Sequence, residues 1–152
     1  MPTRFQGQPD QVQALDTFIK LMRASESFLS RLQPGLTAQG LTPGQFAVLE
    51  ALLHLGPMHQ REIGRKLLRS HANITTVLDN LEREGLIVRV RETVDRRFIT
   101  VSLTPAGHDR ITAVFPNHAA AIASGLACLE TEEQAELGRL CKKLGLALTH
   151  PG

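Results

Sequence analysis

Residues 70–107 read SHANITTVLDNLEREGLIVRVRETVDRRFITVSLTPAG. Within this stretch the apolar period changes from that of a helix to that of a strand. Ile74, Val77, Leu78 and Leu81 recur at helical spacing. Ser70 before them is a good N-cap and Gly85 after them a good C′ residue, which sets a helix over 71–84. Its opposite face carries Ala72, Asn73, Thr76, Asp79, Asn80 and Arg83. From Leu86 the period is two: Leu86, Val88 and Val90 point one way, Arg89 and Arg91 the other. Ile99, Val101 and Leu103 then alternate with Thr100 and Ser102, and Thr93 to Arg96 connect the two runs. This pattern is a two-stranded hairpin with a charged tip.

Upstream, a short helix over about 60–68 turns Ile63 and Leu67 inward, with Gly64 permitting a close approach. Before it, Thr42, Pro43 and Gln45 open a helix with a capping box and a first-turn proline. Phe46, Leu49, Leu52 and Leu53 form its buried stripe, and Gly56-Pro57 stops it. A long helix spans 10–33. Asp10 and Gln13 match a capping box, Leu15, Phe18, Ile19, Met22, Leu29 and Leu32 recur at helical spacing, and Pro34-Gly35 ends it. Downstream, Thr104-Pro105 starts a helix to about 129, kinked by Pro116. Thr131 and Gln134 cap a last helix with Leu137, Leu140, Cys141, Leu144 and Leu148 on one face.

The chain is 152 residues, 42% hydrophobic and 21% charged, a soluble globular composition that fits one domain of ordinary size. The N-terminus has no apolar stretch of the secretory kind, and no apolar run approaches a membrane span of roughly 18 residues. A cytoplasmic protein is expected. The net charge of +2 is small, but residues 61–97 hold nine Lys/Arg against six Asp/Glu, so the positive excess sits in this segment. That is the distribution of a phosphate-facing surface. A run of solvated helix faces gives the same excess. Cys128 and Cys141 lack disulfide-scaffold number and metal-ligand spacing, and the expectation for both is small core residues. His54 and His59 bracket a Gly-Pro turn without a carboxylate or cysteine cluster, so no metal or cofactor is expected. Asn73-Ile74-Thr75 matches a glycosylation sequon, a chance match in a chain without a secretory signal.

The order is helix, short helix, tight turn, polar-faced helix, basic hairpin. A short helix of this kind braces the next against the core. An α-helix fits the major groove of B-DNA, where Ser, Thr and Asn bond to base edges or phosphates. A hairpin tipped by Arg96 and Arg97 reaches the flanking minor groove, whose negative potential attracts guanidinium groups. The apolar stripes at both ends fit either an intrachain core or a partner chain. Two long terminal helices and a small winged module do not bury all their faces against each other, which favours an isologous homodimer.

The stretch DRRFITVSLTPAG, Asp95 to Gly107, resembles the D-x-R…L-T-x-x-G signature of the multiple-antibiotic-resistance-regulator (MarR) family, with Asp95, Arg97, Leu103, Thr104 and Gly107 at its defining positions. LDNLEREGLIVR, Leu78 to Arg89, is similar to that family's recognition-helix end and first wing strand, and LTPGQFAVLEAL, Leu41 to Leu52, to its second helix. The resemblance implies a mainly α fold with a small β-hairpin wing: one domain, 1–152, with a winged helix-turn-helix at 42–104. The helices of 1–34 and 105–152 would form the interface of a triangular dimer. It implies a sequence-specific regulator of transcription, a repressor that leaves a pseudo-palindromic operator on double-stranded DNA when a small aromatic or phenolic effector binds or on oxidation. The recognition set is then Ser70, His71, Ala72, Asn73, Thr75, Thr76 and Asn80. Arg96 and Arg97 are the wing arginines, and Asp95 orients one of them. Phe18, Met22 and Phe46 are candidates for an effector pocket, and core packing accounts for them equally well. His59 departs from the family's frequent Thr N-cap, and Thr76 stands where several members place Arg.

No nucleophile elbow, P-loop, dinucleotide fingerprint or zinc-protease motif is present, so no enzyme is expected. The alternative reading is a winged-helix protein-interaction module without operator binding, which need not keep a polar recognition face or Arg96 and Arg97.

Overall fold

Helix α1 runs Pro9–Ala38 in the computed structural model, which describes residues 3–67 and 73–149. It is longer than the expected 10–33 at both ends. Gln8 precedes it and its amide donates to Gln11 Oε1 at 3.4 Å, while Pro9 takes the first helical position, where a missing N–H costs nothing. Asp10 therefore lies in the first turn and is not the cap. Nor do Pro34 and Gly35 end the helix. The chain continues to a Schellman motif in which Gly40, at φ +75°, donates to the Thr37 carbonyl (2.9 Å) and Leu41 to the Leu36 carbonyl (3.0 Å). Leu36 and Leu41 are both buried, the apolar contact that accompanies this ending. Stopping at Pro34 would leave Leu36 outside the core.

Helix α2 (Pro43–Leu55) begins with the expected box: the Thr42 amide donates to Gln45 Oε1 (3.0 Å) and the Gln45 amide to Thr42 Oγ1 (3.2 Å). Phe46, Val48, Leu49 and Leu52 are buried. Strand β1 (Met58–His59) and helix α3 (Gln60–Leu67) follow. Ile63 is wholly buried, but among the described residues a Cβ on Gly64 would meet only Ile74 Cγ2 at 3.8 Å, an ordinary contact, so no close approach among them requires this glycine.

Helix α4 (Ile74–Arg83) starts later than expected. Its N-cap is Asn73, whose Oδ1 accepts the Thr76 amide at 3.2 Å; the expected cap Ser70, with His71 and Ala72, lies outside the described residues. It ends in a second Schellman motif. Gly85 (φ +75°) donates to the Glu82 carbonyl, and Leu86 to the Leu81 carbonyl, with Leu81 and Leu86 both buried.

Strands β2 (Ile87–Arg91) and β3 (Ile99–Leu103) form the hairpin, and β1 adds a third strand in the antiparallel order β1-β3-β2. Met58 pairs with Val101 and His59 with Thr100. In β2 the faces are opposite to the expected ones: Ile87 is buried and Arg89 partly so, while Val88 and Val90 are exposed. Leu86 belongs to the helix ending and is not the first residue of the strand alternation, so the phase shifts by one.

Helix α5 (Pro105–Leu126) contains Pro116, and α6 runs Thr131–Thr149. The chain divides into two compact units, Met1–His118 and Ala119–Gly152. In the second, the Gln134 side chain donates to the carbonyls of Leu126 (3.2 Å) and Leu129 (3.0 Å), and the Glu130 amide donates to Glu133 Oε2 (2.9 Å). The side chain of Gln134 thus closes the end of α5 instead of capping α6. Helix α6 buries no residue. Leu137, Leu140, Leu144 and Leu148 are exposed on it, and Cys128 and Cys141 are exposed free thiols, not the core residues expected. Among the described residues no single helix is long and apolar enough to cross a membrane.

Candidate nucleic-acid interface

Helix α4 buries Leu78 and Leu81 completely and Ile74 and Val77 in part. The amphipathic spacing leaves Asn73, Thr75, Thr76, Asp79, Glu82 and Arg83 exposed. Thr75 and Thr76 stand in the first turn with hydroxyls at the surface. Asn73 spends its carbonyl oxygen on the cap and keeps its amide nitrogen. Asn80 is partly buried and accepts from Arg83 Nη1 at 3.1 Å.

Arg89 ties this helix to the sheet. Its Nη2 donates to Asp79 Oδ1 (2.6 Å) and Glu82 Oε1 (3.0 Å), and its Nε and amide donate to Glu82 Oε2 (3.3 and 3.2 Å). The bonds to Arg89 hold the Glu82 carboxyl below its ordinary range, and the Glu82 and Asp79 carboxylates raise the guanidinium. Sequence reading placed Arg89 outward and missed this bridge. The available signal was Asp79 and Glu82, three apart and therefore neighbours on one helix surface.

At the wing tip Asp95 holds Arg97. The Arg97 Nε donates to both carboxylate oxygens (3.0 and 3.2 Å), its Nη2 to Oδ2 (2.7 Å), and its own amide to Oδ1 (3.0 Å). The guanidinium keeps the Asp95 carboxyl below its ordinary range and is itself raised. The Arg97 side chain is still 79% exposed. Arg96 is exposed, and its carbonyl accepts from Arg91 Nη1. Asp79, Glu82 and Asp95 are thus paired with arginines of the same segment. Arg61, Arg65, Lys66, Arg83, Arg91 and Arg96 form no ion pair among the described residues.

A second cluster, also missed from sequence, sits at the wing's base. His59 Nε2 lies 2.8 Å from Glu92 Oε1, which also accepts from Thr100 Oγ1 at 2.8 Å. The His59 ring stacks on Phe98 with centroids 4.7 Å apart and planes 21° apart, and Arg61 Cζ lies 5.8 Å from the Phe98 centroid. The bonds from Thr100 and then His59 lower the Glu92 carboxyl. A two-residue strand shows no alternation, so nothing in the sequence paired His59 with the wing.

The effector candidates differ in setting. Phe46 is buried with its ring 4.2 Å from that of His118, whereas Phe18 (57%) and Met22 (40%) are exposed on α1. A concavity of ≈ 540 Å³ along α1 is lined by Ser30, Gln33, Pro34, Thr37 and Ala38, and by none of the three.

A family model described as "MarR family" matches residues 41–99, which run from Leu41 to the start of β3. The HTH-type transcriptional regulator MhqR of Bacillus subtilis is 35% identical over 88% of this chain and 92% of its own length. The HTH-type transcriptional repressor MdtR of the same organism is 31% identical over 80% of this chain and 81% of its own length. A solved probable transcriptional regulator from Pseudomonas aeruginosa is 32% identical, with a TM-score of 0.73 over 83% of this chain and 94% of that one. With its winged helix-turn-helix and its L-T-x-x-G turn, the chain belongs to the MarR family of DNA-binding transcriptional regulators.

Proposed function

We propose that the protein is a homodimeric repressor that binds a pseudo-palindromic operator through α4 and the wing. The observation that carries this reading is the pairing pattern: three of the segment's six carboxylates, Asp79, Glu82 and Asp95, are bound to its own arginines, and Arg61, Arg65, Lys66, Arg83, Arg91 and Arg96, without an ion pair among the described residues, are left to face phosphates. Thr75, Thr76 and the Asn73 amide read base edges, and Ser70, His71 and Ala72 extend that set. Arg96 and Arg97 enter the minor groove, with the Arg97 guanidinium held in place by Asp95. Repression, rather than activation, is the role named for the relative MdtR. The apolar side chains exposed on α1 and α6 support the dimer, since a second copy removes them from water. Phe18 and Met22 are among those exposed on α1, and with Phe46 they are the candidates against which an aromatic or phenolic effector would bind. The protein works in the cytoplasm, with the DNA it controls.

The test is selection of duplexes from a randomised library by the wild-type protein, followed by a salt titration on the winner. The reading expects enriched half-sites about 10 bp apart on one face of the DNA. Affinity should fall about a thousandfold or more between 50 and 200 mM salt for six or more phosphate contacts. A library without enrichment, or binding flat in salt, would reject it.

A further inference from the structure

Three elements meet at the root of the wing: β1 supplies His59, the residue after β2 supplies Glu92, and β3 with the residue before it supplies Thr100 and Phe98. The Glu92 carboxylate sits between His59 and Thr100 at 2.8 Å from each. The imidazole covers the Phe98 ring. Phe98 closes the hairpin loop, since its carbonyl accepts the Glu92 amide and its amide donates to the Asp95 carbonyl. The charged groups around His59 are Glu92, then Arg61 of α3 near Phe98, and Asp95 at the tip, whose carboxylate feels Arg61. None of these contacts belongs to the core.

We propose that His59 is a positioning residue for DNA binding: by bonding Glu92 and stacking on Phe98 it fixes the direction in which the hairpin carries Arg97 away from the sheet. The inference rests on the reading of the wing as a DNA contact. An isolated hairpin tip beyond residue 91 has little else to hold its angle.

The experiment measures affinity for the duplex enriched by the wild-type protein, with His59→Ala, His59→Gln, Arg97→Ala and the double variants His59→Ala/Arg97→Ala and His59→Gln/Arg97→Ala. His59→Ala should weaken binding about fivefold, the scale of a half-exposed charge-assisted bond. His59→Gln keeps an N–H for Glu92 and should recover part of that loss. In the double variants the losses should not add, because both act through the same arginine. Additive losses, or a His59→Gln protein that binds no better than His59→Ala, overturn the proposal while leaving the wing reading intact. An Arg97→Ala variant that binds like wild type overturns the wing reading and this proposal with it. Should His59→Ala fail to fold, the cycle of His59→Gln with Arg97→Ala decides in its place.

Discussion

Replacing Gly107 by alanine should cost more stability than its size suggests. Gly107 stands in the first turn of α5, and a Cβ there would lie 1.9 Å from the Leu86 carbonyl oxygen and 2.8 Å from its carbon. A carbon–oxygen contact needs about 3.3 Å, so backbone must move by more than about 1 Å. That oxygen accepts the Thr104 amide (3.1 Å), Thr104 Oγ1 donates to the Gly85 carbonyl (2.6 Å), and the same hydroxyl accepts the Gly107 amide (3.0 Å). Losing three such bonds at about 1 kcal/mol each, with about 1–2 kcal/mol of strained packing, gives about 4–5 kcal/mol. Alanine's better helix propensity returns about 1 kcal/mol. A net loss of about 3–4 kcal/mol should lower the melting temperature by roughly 10–20 °C for a unit of this size. Thermal unfolding followed by circular dichroism at fixed protein concentration measures it. Gly64→Ala is the control: among the described residues its Cβ would meet only Ile74 Cγ2 at 3.8 Å, and the variant should be as stable as wild type or up to about 1 kcal/mol more so. A Gly107→Ala protein melting within about 3 °C of wild type would refute the close seat of α5 on Leu86.

Other perturbations separate the remaining parts. Arg89→Met should cost about 1 kcal/mol, because its pairs with Asp79 and Glu82 are partly exposed. The melting gap from wild type should shrink in 0.5 M salt, and an unchanged gap would point to packing of the side chain instead. Arg89 lowers the Glu82 carboxyl, so this stabilisation is present above the ordinary carboxylate range and disappears as pH falls through the lowered value. The gap should therefore close in acid and stay constant from neutral pH upward. Asp95→Asn should weaken DNA binding as Arg97→Ala does, since Asp95 fixes that guanidinium; tighter binding by Asp95→Asn would show that removing a negative charge outweighs orientation. Leu144→Asp places a charge in the exposed apolar row of α6. It should weaken dimerisation by about 100-fold or more, read as a sedimentation mass falling from twice 16.7 kDa toward 16.7 kDa. A dimer of wild-type strength would show that Leu144 lies outside the interface.

The elements legible in the sequence were those whose signals are local and repeated. Thr42 and Gln45 announced α2 because each bonds the other's amide within one turn. The stripe of α4 announced itself because Ile74, Val77, Leu78 and Leu81 all face one core. The helix starts and ends moved where a tertiary contact outweighed a local one. Pro34 is a strong breaker in isolation, yet α1 passes through it because Leu36 and Leu41 close a buried cap beyond it. Ser70 is as good an N-cap as Asn73, and nothing local chose between them. The face of β2 was misjudged because Leu86 is apolar for the helix ending and not for the strand, and one residue of phase inverts every side chain after it.

The candidate interface divides along the same line. Its outward hydroxyls and the Asp95–Arg97 neighbourhood follow from residues two or three apart, which the sequence displays. The bridges that aim them span longer separations: Arg89 to Asp79 across ten residues, His59 to Glu92 across thirty-three. A charge count treats all nine basic residues of 61–97 alike. Among the described residues the fold sorts them, committing Arg89 to α4 and Arg97 to Asp95, and on the proposed reading that sorting would decide which cations meet DNA as loose counterion-releasing charges and which arrive already oriented. Salt should therefore weaken the contributions of Arg65, Lys66 and Arg96 more than it changes the geometry set by Arg97. The alanine variants of the first three should flatten the slope of affinity against salt by about one unit for each phosphate no longer neutralised. Loss of Arg89 should instead lower affinity with the slope preserved, because it removes alignment and leaves the phosphates covered as before. A slope that changes as much for Arg89→Met as for Arg96→Ala would mean that Arg89 leaves its carboxylates to meet the DNA.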